Sequence, residues 1–318
     1  MDVKPCPVCS YTQSGFERTL NGIDLFKCSR CTFVYANVGS GMIVDANFIY
    51  EEDSETHGSW NKSVVDLVWF KNMAERFTRV MGPGKVLDVG CGQGDLLNYF
   101  KQHGWEIYGI DPSPWARKFA ELYGFKLYQG TLEDSGIDSD AFDLVLSTST
   151  LEHIESPFEH VMEIVRVLKP GGGALFTGIP NYNKITRPLK STYTNNSPPG
   201  HVNYFTLRSM RYLFSHTEIG GSLSEVSVKT YGLVGAPQLY QFLLKLMPGS
   251  KKNASNAPSA VSDQETSAAE EMGPAHRDSP KLMELLAKGF IALNFYFGRI
   301  IGLGDKLQVE ITKRAQPE

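Results

Sequence analysis

Residues 86–97, with the sequence V-L-D-V-G-C-G-Q-G-D-L-L, constrain the fold of this chain more than any other stretch. The first four are mostly apolar and β-branched, which predicts a strand buried in a parallel sheet. Gly90, Gly92 and Gly94 then predict a sharp turn, and residues 95–103 continue with helical spacing. Glycine lets a ligand approach the backbone closely, and the N–H groups that begin a helix favour an anion. The stretch therefore predicts a nucleotide-binding corner.

The spacing of the glycines helps to distinguish two classes of ligand. Dinucleotide-binding folds carry G-x-G-x-x-G, whereas this chain has G-x-G-x-G, so that its third glycine, Gly94, is displaced. Asp88 stands two residues before the first glycine, where its charge would repel a pyrophosphate. The same charge suits a ligand that carries a positive charge.

These residues resemble motif I of the class I S-adenosylmethionine (SAM) methyltransferases of type 11/23, whose pattern is roughly V-L-D-x-G-C-G-x-G. The resemblance covers about residues 63–230. It implies an α/β fold with a Rossmann-like seven-stranded sheet, six strands parallel and one antiparallel, flanked by helices. It also implies SAM as cofactor and a set of cofactor-binding residues: Asp88, Gly90, Cys91, Gly92, Gly94, Asp111, Pro112, Thr131, Leu132 and Ser147.

Two of the implied contacts come from later strands. Asp111 ends a second strand, where an acid accepts hydrogen bonds from ribose hydroxyls; dinucleotide folds have an acid there too, so Asp111 alone does not separate the classes. Residues 130–134 resemble the segment that contacts adenine, although the family often has Asp where Thr131 stands. The Thr131 hydroxyl and the N–H of Leu132 could serve instead. Glu133 and Asp134 fit either this segment or a solvated helix start.

Apolar spacing predicts the other elements of the core. They are a helix at 64–80, strands at 106–111, 126–129 and 142–147, a helix at 159–168, a strand at 174–179, a helix capped by Thr206, a strand at 223–230 and a final strand at 306–313. The Pro and Gly residues at 170–173 are typical stop signals after a helix. We expect the final strand to be the antiparallel one and to lie beside the strand at 223–230.

Two histidines are candidates for a catalytic base. His153 follows the fourth core strand in L-E-H-I, and His201 lies in G-H-V-N-Y-F-T. The second segment resembles one that borders the substrate cavity in the family. A structural role is the alternative for each histidine. Cys91, inside the glycine turn, is expected to be a small buried residue.

The other four cysteines form the pattern C-x2-C-x18-C-x2-C at Cys6, Cys9, Cys28 and Cys31. This spacing is typical of zinc ribbons, in which two cysteine turns complete a tetrahedral site around a hairpin. Two disulfides or unrelated thiols are the alternatives. In comparable peptides metal binding is worth about 10–16 kcal/mol, enough to fold so small a unit. The layout resembles methyltransferases associated with modified sugars and surface polysaccharides.

Charge and composition exclude several classes of protein. The 318 residues carry a net charge of −4 and are 42% hydrophobic, which allows a sizeable core and gives no field that would bind a polyanion. Residues 1–35 carry four basic and three acidic side chains, so no nucleic-acid partner is expected. We see neither a signal peptide nor an apolar run of about 18 residues. A cytoplasmic location is the expectation.

The domain organisation follows from these elements. We expect a zinc ribbon at 1–45, the SAM-binding core at 46–248, a disordered or flexible linker at 249–280, and a C-terminal helix with the last core strand at 281–318. Residues 50–60 form a lid or a linker, and residues 180–199 lack periodicity. The apolar helices at 232–247 and 282–303 either cover the sheet edge or form an insertion near the substrate. Peripheral membrane contact or a homodimer through them stays open.

Three functional hypotheses follow. The first is a SAM-dependent methyltransferase acting on a small hydroxylated metabolite, such as a sugar or polysaccharide precursor, or on a lipid-linked or quinone-like acceptor. The second is a catalytically silent SAM-binding or scaffold protein. The third is an NAD-type oxidoreductase, which the displaced glycine disfavours.

Overall fold

A computed structural model describes residues 3–38, 64–182, 198–232, 285, 288–289 and 304–315. Outside these residues lie the predicted lid at 50–60, most of the segment at 180–199, the linker at 249–280, the helix at 232–247 apart from Gly232, and most of the helix at 282–303. No helix in the described part of the chain is both long and apolar enough to cross a membrane.

The described residues form two sheets and several helices. The strands are β1 (Ser14–Leu20), β2 (Ile23–Cys28), β3 (Val34–Ala36), β4 (Lys85–Val89), β5 (Glu106–Asp111), β6 (Lys126–Gln129), β7 (Phe142–Thr148), β8 (Leu168–Pro180), β9 (Asn203–Tyr204), β10 (Leu223–Tyr231) and β11 (Lys306–Lys313). The helices are α1 (Val64–Met81), α2 (Asp95–Gln102), α3 (Trp115–Tyr123), α4 (Pro157–Val167), α5 (Leu207–Phe214) and α6 (Thr217–Gly220).

Seven strands make the main sheet in the order β10-β11-β8-β7-β4-β5-β6. Strands β4 to β8 pair in parallel, and β11 runs antiparallel to both β8 and β10. The predicted α/β sheet of six parallel strands and one antiparallel strand is therefore confirmed, and so is the position of the last strand beside β10.

Alternate residues of the central strands enter two separate cores. Val86 packs in a cluster with Phe77 and Phe100, whereas Leu87 belongs to the cluster on the opposite face with Val161. Successive side chains of a strand point to opposite faces, and both Val86 and Leu87 are completely buried. Helices cover both faces of the sheet, and this explains why β4 is apolar at consecutive positions.

The boundary between α4 and β8 differs from the prediction. The strand begins at Leu168 rather than at residue 174, so the Pro and Gly residues read as a stop signal lie inside β8. The pairing with β7 shifts register between Phe142 and Leu144. A Cβ on Gly172 would stand 3.0 Å from the carbonyl oxygen of Asp143. Glycine therefore allows a close approach of two backbones here rather than a loop.

The N-terminal strands form a second sheet, and the core contributes to it. Its order is β1-β2-β3-β9, and β9 follows β8 of the main sheet along the chain. Tyr35 of β3 pairs with Asn203 of β9, and the ring centroids of Phe33 and Phe205 lie 4.7 Å apart. The N-terminal unit thus shares both a sheet and an apolar core with the rest of the chain.

We expect Phe33→Ala to lower the free energy of unfolding by about 3–5 kcal/mol, the usual cost of removing a buried phenyl ring. Phe33 is completely buried and packs against Phe205. Phe16→Ala is the matched control, since that ring is 63% exposed and its loss should cost under about 0.5 kcal/mol. Urea denaturation measures both, and equal losses would contradict the shared core.

Candidate functional site

The glycine turn connects the end of β4 to the start of α2. Gly90, Gly92 and Gly94 all have positive φ, at 74°, 50° and 71°. The N–H groups of Gly90 and Cys91 donate to the carbonyl oxygen of Ile110 at 2.8 and 3.2 Å, which fastens the turn to β5. A Cβ on Gly92 would meet no atom within 4 Å. The turn therefore leaves open space beside its backbone at Gly92.

We expect Gly94→Ala to lower the free energy of unfolding by about 2 kcal/mol or more, since a left-handed conformation costs a non-glycine residue about 1–2 kcal/mol. A Cβ there would also stand 2.4 Å from Cε1 of Phe125. Gly136→Ala is the control, because Gly136 has φ of 66° and no atom within 4 Å of its Cβ position. Urea denaturation should show the smaller loss for the control; equal losses would contradict the steric argument.

Asp111 closes the opposite side of the turn. Its Oδ2 accepts the N–H of Gly92 at 2.8 Å, and its Oδ1 accepts the N–H of Ser113 at 2.8 Å. Burial raises the pKa of this carboxyl, while the two backbone donors act in the opposite direction. A carboxylate has about four lone-pair sites, so two remain for hydroxyl groups of a ligand. The end of β5 thus holds an oriented acceptor beside the turn.

A second carboxylate lies at the end of β4. Asp88 is 4% exposed. Asp88 stands two residues before Gly90, and Asp111 accepts the N–H of Gly92, so both acids lie close to the turn. Burial raises the pKa of the Cys91 thiol, and the charges of Asp88 and Asp111 raise it further. Cys91 itself is buried, as predicted. Two carboxylates with a glycine turn between them suit a ligand with a positive charge and hydroxyl groups.

The start of α2 adds a positive electrostatic contribution. Its N-cap is Gly94, which provides no side-chain hydrogen bond to the first turn. The N–H groups that begin a helix attract anions and are worth about 0.3–1 kcal/mol in exposed positions. A carboxylate of a bound amino acid would be stabilised here.

In the segment predicted to contact adenine, the Thr131 side chain bonds within the segment itself. The Thr131 hydroxyl donates to Asp134 Oδ2 at 2.9 Å and accepts the N–H of Asp134, so it stabilises a local turn. Leu132 is buried and Pro112 is exposed. Ser147 is buried on β7, and its hydroxyl has no hydrogen-bond partner among the described residues. Glu133 contacts Nδ1 of His160 at 2.7 Å through its Oε1.

Gln129 is a further polar residue at this site that the sequence motifs did not predict. Its Nε2 lies within 3.0 Å of the carbonyl oxygens of Asp111, Pro112 and Ser113. The side chain therefore shapes the loop that follows Asp111. A polar residue at the last position of a predicted strand was the signal that could have identified it.

His153 and His201 lie next to each other, and Glu152 lies beside both. The ligand atoms of the three side chains all lie within 4.8 Å of one another, and the two imidazole rings pack edge to face with centroids 4.6 Å apart. We call these three residues the Glu–His–His cluster. Glu152 belongs to the L-E-H-I motif, and its sequence position alone indicates no role.

Burial shifts the pKa values of the ionisable groups in and around the cluster. Glu152 is 2% exposed, and burial raises the pKa of its carboxyl. Burial, the charge of His153 and the charge of Lys306 lower the pKa of His201 to about 3, so its imidazole is neutral at neutral pH. Burial also raises the pKa of Tyr231 to about 12, and Glu152 adds to that shift.

Hydrogen bonds connect the cluster to the glycine turn on one side and to β9 on the other. The Thr150 hydroxyl donates to the carbonyl oxygen of Val89 at 3.0 Å. The N–H groups of Val202 and Asn203 donate to the carbonyl oxygen of Glu152 at 3.0 and 3.1 Å. Since Asn203 belongs to β9, the cluster lies between motif I and the N-terminal sheet.

The four N-terminal cysteines also come together. Three pairs of their sulfur atoms are 3.6 Å apart, all four lie within 4.8 Å of one another, and all are free thiols. Four ligands at about 2.3 Å from a tetrahedral zinc ion would be about 3.8 Å apart. The donor set and its geometry therefore fit a structural zinc ion.

Comparison with known proteins agrees with this geometry. Residues 65–218 match a family model described as "Methyltransferase domain". A ubiquinone biosynthesis O-methyltransferase from Alkalilimnicola ehrlichii is 35% identical over 100 residues, which are 29% of this chain and 40% of that protein. A tRNA U34 carboxymethyltransferase from Saccharophagus degradans is 32% identical over 136 residues, 39% of this chain and 38% of that protein. The chain thus spans about two fifths of each relative.

A solved structure supports the fold. The plantazolicin methyltransferase BpumL, in complex with S-adenosylhomocysteine (SAH), superposes with a TM-score of 0.50 and 15% identity, covering 86% of this chain and 92% of that one. Sheet order, glycine turn and family match agree with one another. Residues 65–218 of this chain are therefore similar to a methyltransferase domain and share the fold of that solved structure.

Proposed function

We propose that this protein transfers a methyl group from SAM to a small hydroxylated acceptor. The observation that carries the proposal is the glycine turn with a buried carboxylate on either side, at Asp88 and Asp111. Asp111 would accept hydrogen bonds from the ribose hydroxyls, Asp88 would attract the amino group of the methionine part, and the start of α2 would attract its carboxylate.

The Glu–His–His cluster would serve the acceptor. When bound, SAM supplies a methyl group made electrophilic by the sulfonium, and in-line displacement then depends mainly on positioning. An acceptor oxygen must also lose its proton. The hydrogen bond from Thr150 to Val89 ties the loop that carries Glu152 and His153 to motif I. His153 and His201 are therefore our candidates for promoting proton loss.

The acceptor class follows from the polarity around the cluster. The hydroxyl oxygens of Thr177 on β8 and Tyr231 on β10 lie 3.0 Å apart, and the Tyr231 hydroxyl accepts the N–H of Gly178. Oε2 of the buried Glu152 has no hydrogen-bond partner among the described residues. Buried polar groups need polar partners, so an acceptor with several hydroxyl groups suits this region. A sugar or polysaccharide precursor is the class we favour.

A quinone-like phenol is the second candidate. Its support is the similarity to proteins named ubiquinone biosynthesis O-methyltransferase, at 33–35% identity over roughly a hundred residues. The similar regions cover 38–45% of the length of these relatives, so the substrate does not transfer with the fold.

We also propose that Cys6, Cys9, Cys28 and Cys31 hold Zn²⁺ in a structural ribbon. The ion would fix the hairpin of β1 and β2 beside β3, and through β9 it would support the Glu–His–His cluster. The proposed domains are a ribbon at 1–45 and a SAM-binding core from residue 46.

The test is release of SAH from SAM in the presence of sugar nucleotides or catechol-type phenols, with methylated product identified by mass spectrometry. We expect turnover with at least one sugar-nucleotide acceptor. Turnover with the phenols alone would favour the second candidate. SAM binding without turnover on any acceptor would favour the silent binding protein. For substitutions of His153 and His201, His103→Gln is the control, because His103 lies at the end of α2, away from the cluster.

A further inference from the structure

We propose that the Glu–His–His cluster binds a divalent first-row cation, with Zn²⁺ as the probe, which holds the acceptor oxygen for methyl transfer. The described residues contain two groups of side chains able to hold a metal, the four cysteines and this cluster. The role in transfer rests on the function proposed above, whereas the binding of the cation does not.

The donor set is the first argument. One carboxylate and two imidazoles, at Glu152, His153 and His201, bring their ligand atoms within 4.8 Å of one another. Three protein ligands of this type leave one position of a tetrahedral cation open for water or substrate, as in catalytic zinc sites.

The orientation of His153 is the second argument. Its Nδ1 lies 2.7 Å from the carbonyl oxygen of Gly200. A carbonyl oxygen can only accept, so Nδ1 carries the proton and Nε2 keeps its lone pair. Metal-bound histidines almost always donate their other ring N–H in this way, which fixes both tautomer and ring orientation.

Glu152 supplies the third argument. Its side chain is 2% exposed, and Oε2 has no hydrogen-bond partner among the described residues. A buried carboxylate without a partner is costly unless it is paired with a cation or neutralised. Its backbone carbonyl oxygen accepts the N–H groups of Val202 and Asn203, so the position of Glu152 is fixed next to the segment that carries His201. A cation between them would compensate the buried charge.

Such a cation would change how the acceptor loses its proton. An acceptor hydroxyl on the open position would have a lowered pKa and would release its proton to solvent. Its oxygen then forms the bond to the methyl carbon as the carbon–sulfur bond breaks and the electron pair returns to sulfur. His153 and His201 would be ligands in this arrangement rather than free bases.

Metal content of the full chain, loaded with Zn²⁺ and dialysed, tests the binding. We expect two zinc ions per chain in the unaltered protein and one in Glu152→Gln and in His201→Asn, because even loss of a residue that only supports a ligand weakens metal affinity by about 10–100-fold. His160→Gln is the matched control, a buried histidine paired with Glu133 elsewhere, and it should keep two. One ion per chain in every protein, or two in both cluster variants, would overturn the proposal.

The absorption spectrum of bound Co²⁺ is a second test of the cation site. It does not require activity, and it does not depend on the folding of any single variant. The unaltered protein should show the cobalt–thiolate band of the cysteine site and a second set of weaker bands that Glu152→Gln lacks. Titrating Co²⁺ into a His201→Asn sample of unchanged melting temperature should give the cysteine spectrum alone. An identical spectrum for all three proteins would contradict the second site. Cobalt bands without any turnover would leave the cation site standing and count against the proposed methyl transfer.

Discussion

Replacing Asp111 with alanine is expected to weaken SAM binding by about 100-fold or more. Hydrogen bonds to a charged group are worth about 1.5–3 kcal/mol each, and two ribose hydroxyls would lose such a partner at once. Each tenfold in affinity corresponds to about 1.4 kcal/mol. The substitution also removes the acceptor of the Gly92 N–H, which loosens the turn itself. Isothermal titration calorimetry with SAM measures the loss.

Two further variants make this result interpretable. Asp111→Asn keeps one carbonyl oxygen and should therefore bind SAM with an intermediate affinity. Asp138→Ala removes an exposed acid of the same domain and should leave the affinity unchanged. If Asp111→Ala stays folded and binds SAM within about threefold of the original protein, Asp111 does not hold the ribose.

The double variant Cys28→Ser, Cys31→Ser is expected to lose methyl transfer by about 100-fold while it keeps SAM affinity within about threefold. Structural zinc in comparable peptides contributes about 10–16 kcal/mol, so the ribbon should not hold β3 in place without it. β9 pairs with β3, and Asn203 of β9 donates to the carbonyl oxygen of Glu152. The Glu–His–His cluster would therefore lose its support, whereas Gly92 and Asp111 still bond each other.

The matched control is Ser29→Ala, an exposed residue between the two replaced cysteines, which should change neither quantity. A melting curve by circular dichroism should show a lower transition for the cysteine variant. Unchanged turnover and melting temperature would contradict both the zinc site and its connection to the cluster. Equal loss of SAM affinity and turnover would contradict the separation of the two sites.

The sheet could be predicted because its strands carry strong local signals. β4 and β7 are apolar over several consecutive residues, as burial on both faces requires, and the glycine turn marks where β4 ends. The predicted start of β8 was wrong because glycines at 171–173 are compatible both with the end of a helix and with two closely paired strands. Only the three-dimensional structure distinguishes these cases, because it places the backbone of Asp143 close to Gly172.

The sequence predicted individual residues of the candidate site but not the contacts between them. Asp111, His153 and His201 were identified from local motifs, but the contact between the two histidines joins residues 48 positions apart in the chain. The pairing of Tyr35 with Asn203 is longer still, and a strand of two residues has no periodicity to detect. Glu152 reads as an ordinary loop acid in the sequence, because its burial depends on segments far away in the chain.

A crystal structure of the protein with SAH tests the central claim most directly. We expect the nucleoside to occupy the open space beside Gly92, with its ribose hydroxyls on Asp111 and its amino acid part between Asp88 and the start of α2. Density for SAH elsewhere, no density beside Gly92 at saturating ligand, or displacement of SAH by a nicotinamide dinucleotide would contradict it.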